Sequence, residues 1–169
     1  VKKNLVLLGM MGVGKTTLGK IVAKKQNLKF IDTDLCIERK YSMKISEIFK
    51  KKGELIFREW EVEEVLESLQ KNESVIALGG GAFLNKKVRA IILKYSTSIW
   101  LDINLSKLNE RVKWSKKRPL LNDKNNQTKI NKLYNERKNI YKLAKYKINC
   151  NNLNKEDIVK KIINFYEKQ

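Results

Sequence analysis

Histidine is absent from all 169 residues. That excludes zinc sites built on imidazole and every mechanism that needs an imidazole base. Any base must be a carboxylate, lysine, tyrosine or cysteine. The two cysteines, Cys36 and Cys150, stand alone, without CxxC or Cys/His spacing. They read as reduced thiols in a buried or half-buried setting. Proline occurs once, at Pro119. No stretch approaches the roughly 20 consecutive apolar residues of a membrane helix. The N-terminus lacks the apolar run and small-residue cleavage site of a secretory signal, so a cytoplasmic location is expected.

Arginine is also scarce. Of 37 basic residues only 6 are arginine, and the formal net charge is +19. Such a charge can mark a nucleic-acid binder. Here the lysines spread over nearly every helical segment, alongside 17 asparagines. There is no arginine cluster and no interleaving of aromatics with the basic residues. The reading is a solvated basic surface that attracts small anions, with no nucleic-acid or membrane partner. The length suits one domain with one core, and a monomer is expected.

Short apolar runs alternate with longer amphipathic stretches. Strands are expected over 4–8, 30–32, 75–78, 98–101 and 146–149. Helices are expected over 16–26, 54–71, 85–94, 105–114, 129–145 and 155–167. Another helix should start at a Ser46 cap and stop at Gly53. The order predicts an α/β fold with a parallel sheet covered on both faces. Residues 115–128 read as a polar, irregular stretch, and a loop of that length suits a charged lid.

Gly9-Met10-Met11-Gly12-Val13-Gly14-Lys15-Thr16 fits G-x-x-x-x-G-K-[ST] between a strand and a helix. Glycines let backbone N–H groups wrap phosphate oxygens, and the helix N-terminus adds its positive dipole end. Lys15 suits the β- and γ-phosphates, and the Thr16 hydroxyl suits Mg²⁺. Gly12, Val13, Gly14, Lys15, Thr16 and Thr17 are therefore candidate ATP-binding residues. The motif is strong for nucleotide binding and nearly silent on the acceptor.

Asp32 and Asp34 follow the second strand, at the sheet end where α/β proteins bind ligands. One could serve the Mg²⁺ shell and the other an acceptor hydroxyl. The plainer alternative for either acid is a helix N-cap, Asp34 standing directly before a helix over 35–40. Three glycines, Gly79, Gly80 and Gly81, follow the third strand and suit a close backbone approach to a ligand. Arg58, Arg118 and Arg137 sit early on a helix, in the lid and on the helix after it. Arginine suits bidentate recognition of carboxylate and phosphate, although a surface ion pair is the plain alternative for any one of them.

Taken in order, GMMGVGKTT, FIDTD, GELIFREWE, LGGGA, RPLL and YNERKNIY make the chain resemble shikimate kinases from Leu5 to about Ile163. The resemblance implies a single P-loop kinase domain over 1–169, with a substrate-binding region at 35–61 and a mobile lid at 112–127. It implies a three-layer α/β/α fold with a five-stranded parallel sheet in the order 2-3-1-4-5. It implies ATP-dependent phosphorylation of shikimate to shikimate 3-phosphate, in aromatic amino-acid biosynthesis, with Mg²⁺ as cofactor. By the same resemblance Asp34, Lys15 and Arg118 are catalytic. Arg58, Arg137 and the 79–81 backbone with Asp34 hold shikimate. Thr16 and Asp32 serve the metal, and Arg111 lies against the adenine. The adenine loop falls near 151–154, where no residue declares itself. Other small-acceptor P-loop kinases, for gluconate or nucleoside monophosphates, share the phosphate loop and lid. A regulatory ATPase or a nucleic-acid-dependent ATPase is the alternative of another class.

Overall fold

The computed structural model describes residues 3–113 and 124–168. Five parallel strands form one sheet in the order β2-β3-β1-β4-β5. They are β1 (Asn4–Leu8), β2 (Lys29–Asp32), β3 (Ser74–Ala77), β4 (Ser96–Asp102) and β5 (Tyr146–Asn149). Every residue of β1, β3 and β4 is buried, whereas the edge strands β2 and β5 each bury only one residue fully. Burial on both faces explains why the central strands read as continuous apolar or small-residue runs. Leu5 pairs with Val75 on one side and Thr97 on the other, which aligns the carboxyl ends of all three central strands.

Among the described residues, eight α-helices link and cover the strands: α1 (Lys15–Gln26), α2 (Thr33–Tyr41), α3 (Ile45–Lys51), α4 (Glu54–Gln70), α5 (Lys86–Tyr95), α6 (Leu105–Lys113), α7 (Lys124–Tyr141) and α8 (Lys155–Glu167). They lie on both faces of the sheet, α1 packing against α8 and α4 against α5. The fold class and strand order are those expected. Among the described residues no helix is long and apolar enough to cross a membrane.

Several boundaries differ from the sequence reading, each for a local reason. Asp32, not Asp34, caps α2: its Oδ1 accepts the Leu35 N–H at 3.2 Å. Asp34 therefore lies in the first helical turn. Helix α3 begins at Ile45, ahead of the expected Ser46 cap. Its first donors are taken by acids, with the Lys44 N–H given to Glu47 Oε2 and the Ile45 N–H to Glu38 Oε1, each at 3.0 Å. Helix α7 starts at Lys124, so the end of the expected irregular stretch is helical. The buried Ile130 anchors that helix, and adding turns to a formed helix is cheap despite poor propensities. It ends at Tyr141 because the chain must turn into β5, and the Lys145 N–H goes to Ser98 Oγ at 3.0 Å. Residues 114–123 of the expected lid, with Arg118 and Pro119, lie outside the described residues.

The main core joins the sheet to its covering helices. A second, smaller core joins α2, α3 and the start of α4. It holds the buried Ile37, Ile48 and Phe57, with Tyr41, Met43, Ile45 and Trp60 packed against them. Tyr41 and Trp60 stack with ring centroids 3.4 Å apart. This small core supports the helices that carry Asp34 and Arg58. Ile48→Ala should therefore cost about 2–4 kcal/mol of stability. Urea denaturation measures it, and an unchanged midpoint would show that the small core adds nothing to the cooperative unit.

Candidate active site

The site is built at the carboxyl ends of β1, β2 and β3. After β1 the chain enters the phosphate loop, where Gly9, Gly12 and Gly14 all have positive φ. Gly9 is the most constrained. Its φ is +139°, and a Cβ there would meet the Leu101 carbonyl oxygen at 2.5 Å. Buried Val13 follows, and its carbonyl accepts from Arg111 Nη1 at 3.1 Å. Lys15 Nζ folds over the loop and donates to the Gly9 and Met10 carbonyls at 2.8 and 2.9 Å. Thr16 Oγ1 donates to Asp32 Oδ2 at 2.6 Å. Thr17 is exposed at the next position of α1. The loop thus holds together the lysine, hydroxyl and strand-end acid that the sequence motif nominated.

Asp32 has two tasks in this arrangement, since its other oxygen caps α2. The cap and the Thr16 bond fix its carboxylate beside the phosphate loop. A hydroxyl and a carboxylate are hard oxygen donors, the type Mg²⁺ takes when most of its shell is phosphate and water. The donor set fits the expected ion.

Beyond β3 the three glycines are surrounded by charge. A Cβ on Gly79 would overlap Asp34 Oδ1 and come within 2.9 Å of Glu61 Oε1. A Cβ on Gly80 would stand 3.1 Å from Arg137 Nη1 and 3.8 Å from the Gly9 carbonyl oxygen of the phosphate loop. A Cβ on Gly81 would overlap the Arg58 guanidinium. Asp34, Arg58 and Arg137 come from α2, α4 and α7, far apart in sequence. Each meets a different glycine of one strand end, beside the phosphate loop.

Three members of the site were not singled out from the sequence. Glu61 is 3% exposed, and its Oε2 accepts from Arg58 Nη1 at 2.7 Å. Burial raises its carboxyl pKa, with Arg58 opposing and Asp34 adding to the rise. On Arg58, burial works against the charge, but Glu61 and Glu54 outweigh it and raise the pKa. Thr33 Oγ1 accepts the Gly79 N–H at 3.0 Å. Tyr141 donates its hydroxyl to the Gly80 carbonyl at 2.5 Å. Burial raises the Tyr141 phenol, with Arg137 opposing. Glu61 and Arg58 are one helical turn apart on α4, a spacing that could have flagged the pair. Thr33 and Tyr141 lie inside quoted motifs, but only the fold shows that they hold the glycine backbone.

The family profile for shikimate kinase matches residues 11–167. The chain belongs to the shikimate kinase family. It is 41% identical over 161 residues to a shikimate kinase of Sulfurihydrogenibium sp. (strain YO3AOP1), covering 95% of this chain and 96% of that one. The shikimate kinase from Acinetobacter baumannii, solved in complex with shikimate, superposes with a TM-score of 0.91 at 32% identity, covering 99% of this chain and 94% of that one. A gluconokinase from Sinorhizobium meliloti 1021 superposes with a TM-score of 0.63 at 14% identity, covering 98% of this chain and 92% of that one. That likeness concerns the fold alone.

Two predictions follow from this packing. Gly79→Ala should lower shikimate phosphorylation by about 100-fold or more, since its Cβ displaces both carboxylates and small misplacements are costly. Loss of activity without loss of ATP binding, measured by titration with a fluorescent nucleotide, is the expected result. Parental activity would contradict the packing. The second concerns pH. A carboxyl whose folded pKa is raised binds its proton longer in the folded state than in the unfolded one. Its contribution to stability is thus lost as pH rises from the ordinary value of 4.5 through the folded value. Glu61→Gln should remove that slope from the pH dependence of the urea midpoint. An unchanged slope would assign it to other groups.

Proposed function

We propose that the chain catalyses the reaction of its family at the strand end just described, moving the γ-phosphoryl group of ATP to a ring hydroxyl of shikimate and giving shikimate 3-phosphate. The observation that carries the site assignment is the gathering of Asp34, Arg58 and Arg137 around the 79–81 glycines beside the phosphate loop. Shikimate offers one carboxylate and several hydroxyls. Two arginines suit the carboxylate, and an acid on the neighbouring glycine suits a hydroxyl.

In this reading Arg58 and Arg137 grip the acid group from α4 and α7. The rigid backbone of Gly79, Gly80 and Gly81 lets the ring lie close. Asp34 accepts a hydrogen bond from the reacting hydroxyl and aims its oxygen at the γ-phosphorus. As the new O–P bond forms, the bond from the γ-phosphorus to the β-bridging oxygen breaks, and the hydroxyl proton leaves through Asp34. With no histidine in the chain, a carboxylate is the natural group for that proton. The phosphate loop, through Gly12, Val13, Gly14, Lys15, Thr16 and Thr17, holds the triphosphate. Lys15 offsets charge that builds on the phosphoryl oxygens. Thr16 and Asp32 would hold Mg²⁺, which would supply positive charge to offset that of the phosphates. Arg111, whose guanidinium bonds the Val13 carbonyl of the phosphate loop, is assigned to the adenine by resemblance. Arg118 is assigned to the ATP phosphates by resemblance. The chain acts as one kinase domain, with 35–61 serving the acid and 112–127 the lid. We further infer a cytoplasmic monomer with two small-molecule partners and no nucleic acid or membrane. The even spread of lysine over the helices supports that reading.

Coupled ADP release with Mg·ATP tests the reaction, comparing shikimate, gluconate, AMP and no acceptor. Shikimate-dependent turnover well above the other three is expected. A rate no greater than the blank would overturn the acceptor assignment. Asp34→Asn should lower kcat by roughly 100-fold with a modest change in KM. Arg58→Lys should raise the shikimate KM about tenfold and spare kcat, because an ammonium cannot reproduce the planar fork. Parental kcat in Asp34→Asn would remove Asp34 from the phosphoryl-transfer step.

A further inference from the structure

Helix α7 delivers Arg137, and two tyrosines make its footing on the sheet. Ile130, Tyr134, Arg137 and Tyr141 follow one another at steps of three or four residues, so they share one face of the helix. Ile130 and Tyr141 are buried, Arg137 is nearly so, and Tyr134 is half-buried. The Tyr141 hydroxyl holds the Gly80 carbonyl just beyond β3. The Tyr134 hydroxyl, two turns earlier, donates to Asp102 Oδ1 at 3.0 Å, at the end of β4. The two footings are about 10 Å apart along the helix axis, and Arg137 lies between them.

Asp102 stands where an open parallel sheet places ligand-binding acids, at the carboxyl end of a strand. Its carboxylate is used inside the fold instead. The residue is 8% exposed. Oδ1 accepts from Tyr134, and Oδ2 accepts from Lys147 Nζ of β5 at 2.8 Å. A nearly buried carboxylate is costly unless it is paired and hydrogen-bonded, and here it is both. The same Lys147 ammonium lies 4.3 Å from the centre of the Trp100 ring. Trp100 packs against the Tyr141 ring, with centroids 6.0 Å apart. Trp100 and Asp102 are two residues apart on β4 and so share a face of the sheet. Lys147 thus touches both side chains on which α7 stands. Burial, with the Asp102 charge adding to it, pushes the Tyr134 phenol up to about 12. At neutral pH the bond therefore runs one way, from phenol to carboxylate.

We propose that Asp102 and Tyr134 are positioning residues for Arg137: their hydrogen bond fixes the rotation and axial register of α7, and so the direction from which the Arg137 guanidinium reaches Gly80. The inference rests on the reading of Arg137 as part of the grip on the shikimate carboxylate. The apolar contact of Ile130 is non-directional and does not set rotation. A hydrogen bond weakens steeply when misaligned. Tyr141 fixes one point of the helix, and a helix held at one point can swing about it. The second point, two turns away, removes that freedom.

The test compares Tyr134→Phe, Asp102→Ala, Asp102→Asn and Arg137→Ala in the full chain, with Tyr134→Phe also placed on Arg137→Ala. KM for shikimate, KM for ATP, kcat and the melting temperature are measured. Tyr134→Phe should raise the shikimate KM about threefold to tenfold, the scale of one hydrogen bond. It should leave kcat and the ATP KM within about twofold, the pattern of lost ground-state binding. Asp102→Ala should do the same. Asp102→Asn, whose amide oxygen still accepts the phenol proton, should stay near the parental value. Arg137→Ala should raise the shikimate KM by about 30-fold or more. On that background Tyr134→Phe should add less than about twofold, because nothing is left to position. Tyr134→Phe removes one oxygen from a half-buried ring, so it decides the matter even where Asp102→Ala folds poorly. A parental shikimate KM in Tyr134→Phe, with a raised one in Arg137→Ala, overturns the inference and leaves the carboxylate grip standing. A lower melting temperature with no change in KM, an equal rise in both KM values, or a full Tyr134→Phe effect without Arg137 also overturns it. If Arg137→Ala is parental too, the grip fails and the inference with it.

Discussion

Gly79, Gly80 and Gly81 each stand where a Cβ would displace a different charged group: Asp34 with Glu61, Arg137, and Arg58. The site depends on that steric condition. Three helices can bring their acids and bases to one strand end only because the strand end has no side chains of its own. The backbone is held there by groups that are themselves fixed, the Gly79 N–H on Thr33 and the Gly80 carbonyl on Tyr141. Thr33 belongs to α2 and Tyr141 to α7. The helices that deliver Asp34 and Arg137 therefore also clamp the glycines that those residues face. Geometry and support come from the same elements, so a small displacement of either helix moves both.

Electrostatics completes the arrangement. Two arginines converging on a buried strand end would repel each other and lose hydration. Glu61, buried on α4, pairs with Arg58 and lowers the local positive charge. Glu54 takes the other side of the same guanidinium at 3.1 Å. Arg58 is thus pinned on two sides, which reduces the rotamer entropy that any ligand contact there would cost. Arg137 is pinned differently. It is 7% exposed and interacts with the Tyr141 phenol, which also bonds Gly80. The two arginines are preorganised by unlike means, an acid on α4 and a phenol on α7.

Much of this was legible in the sequence because the chemistry needs particular residues at fixed spacing. The phosphate loop, the strand-end acids and the triple glycine are local motifs, and the five strands are apolar or small-residue runs that burial on both faces makes plain. What stayed hidden depends on distance. Asp32 and Asp34 are near neighbours with similar capping ability, and only the Thr16 contact and the Leu35 N–H decide which one caps α2. Glu61 reads as one more acid on a helix that has many, until the fold buries it against Gly79. The start of α7 does not show in the sequence because Asn125, Asn126 and Thr128 have low helix propensity and the buried anchor, Ile130, comes later. The β5–α8 loop was silent because its asparagines bond within the fold.

The lysine excess and the arginine scarcity have different consequences. At +19 the surface attracts ATP and an organic acid over distances of about a Debye length, without regard to orientation. Such a field raises encounter rates but cannot choose between acceptors. Choice requires groups with fixed direction, and each arginine of the described site has one: Arg58 by its two acids, Arg137 by burial and Tyr141, Arg111 by the Val13 carbonyl. Lysine reaches the same standing where main-chain carbonyls hold its ammonium, as at Lys15. What separates a functional cation from the surrounding charge in this chain is therefore its set of fixed acceptors, more than its residue type.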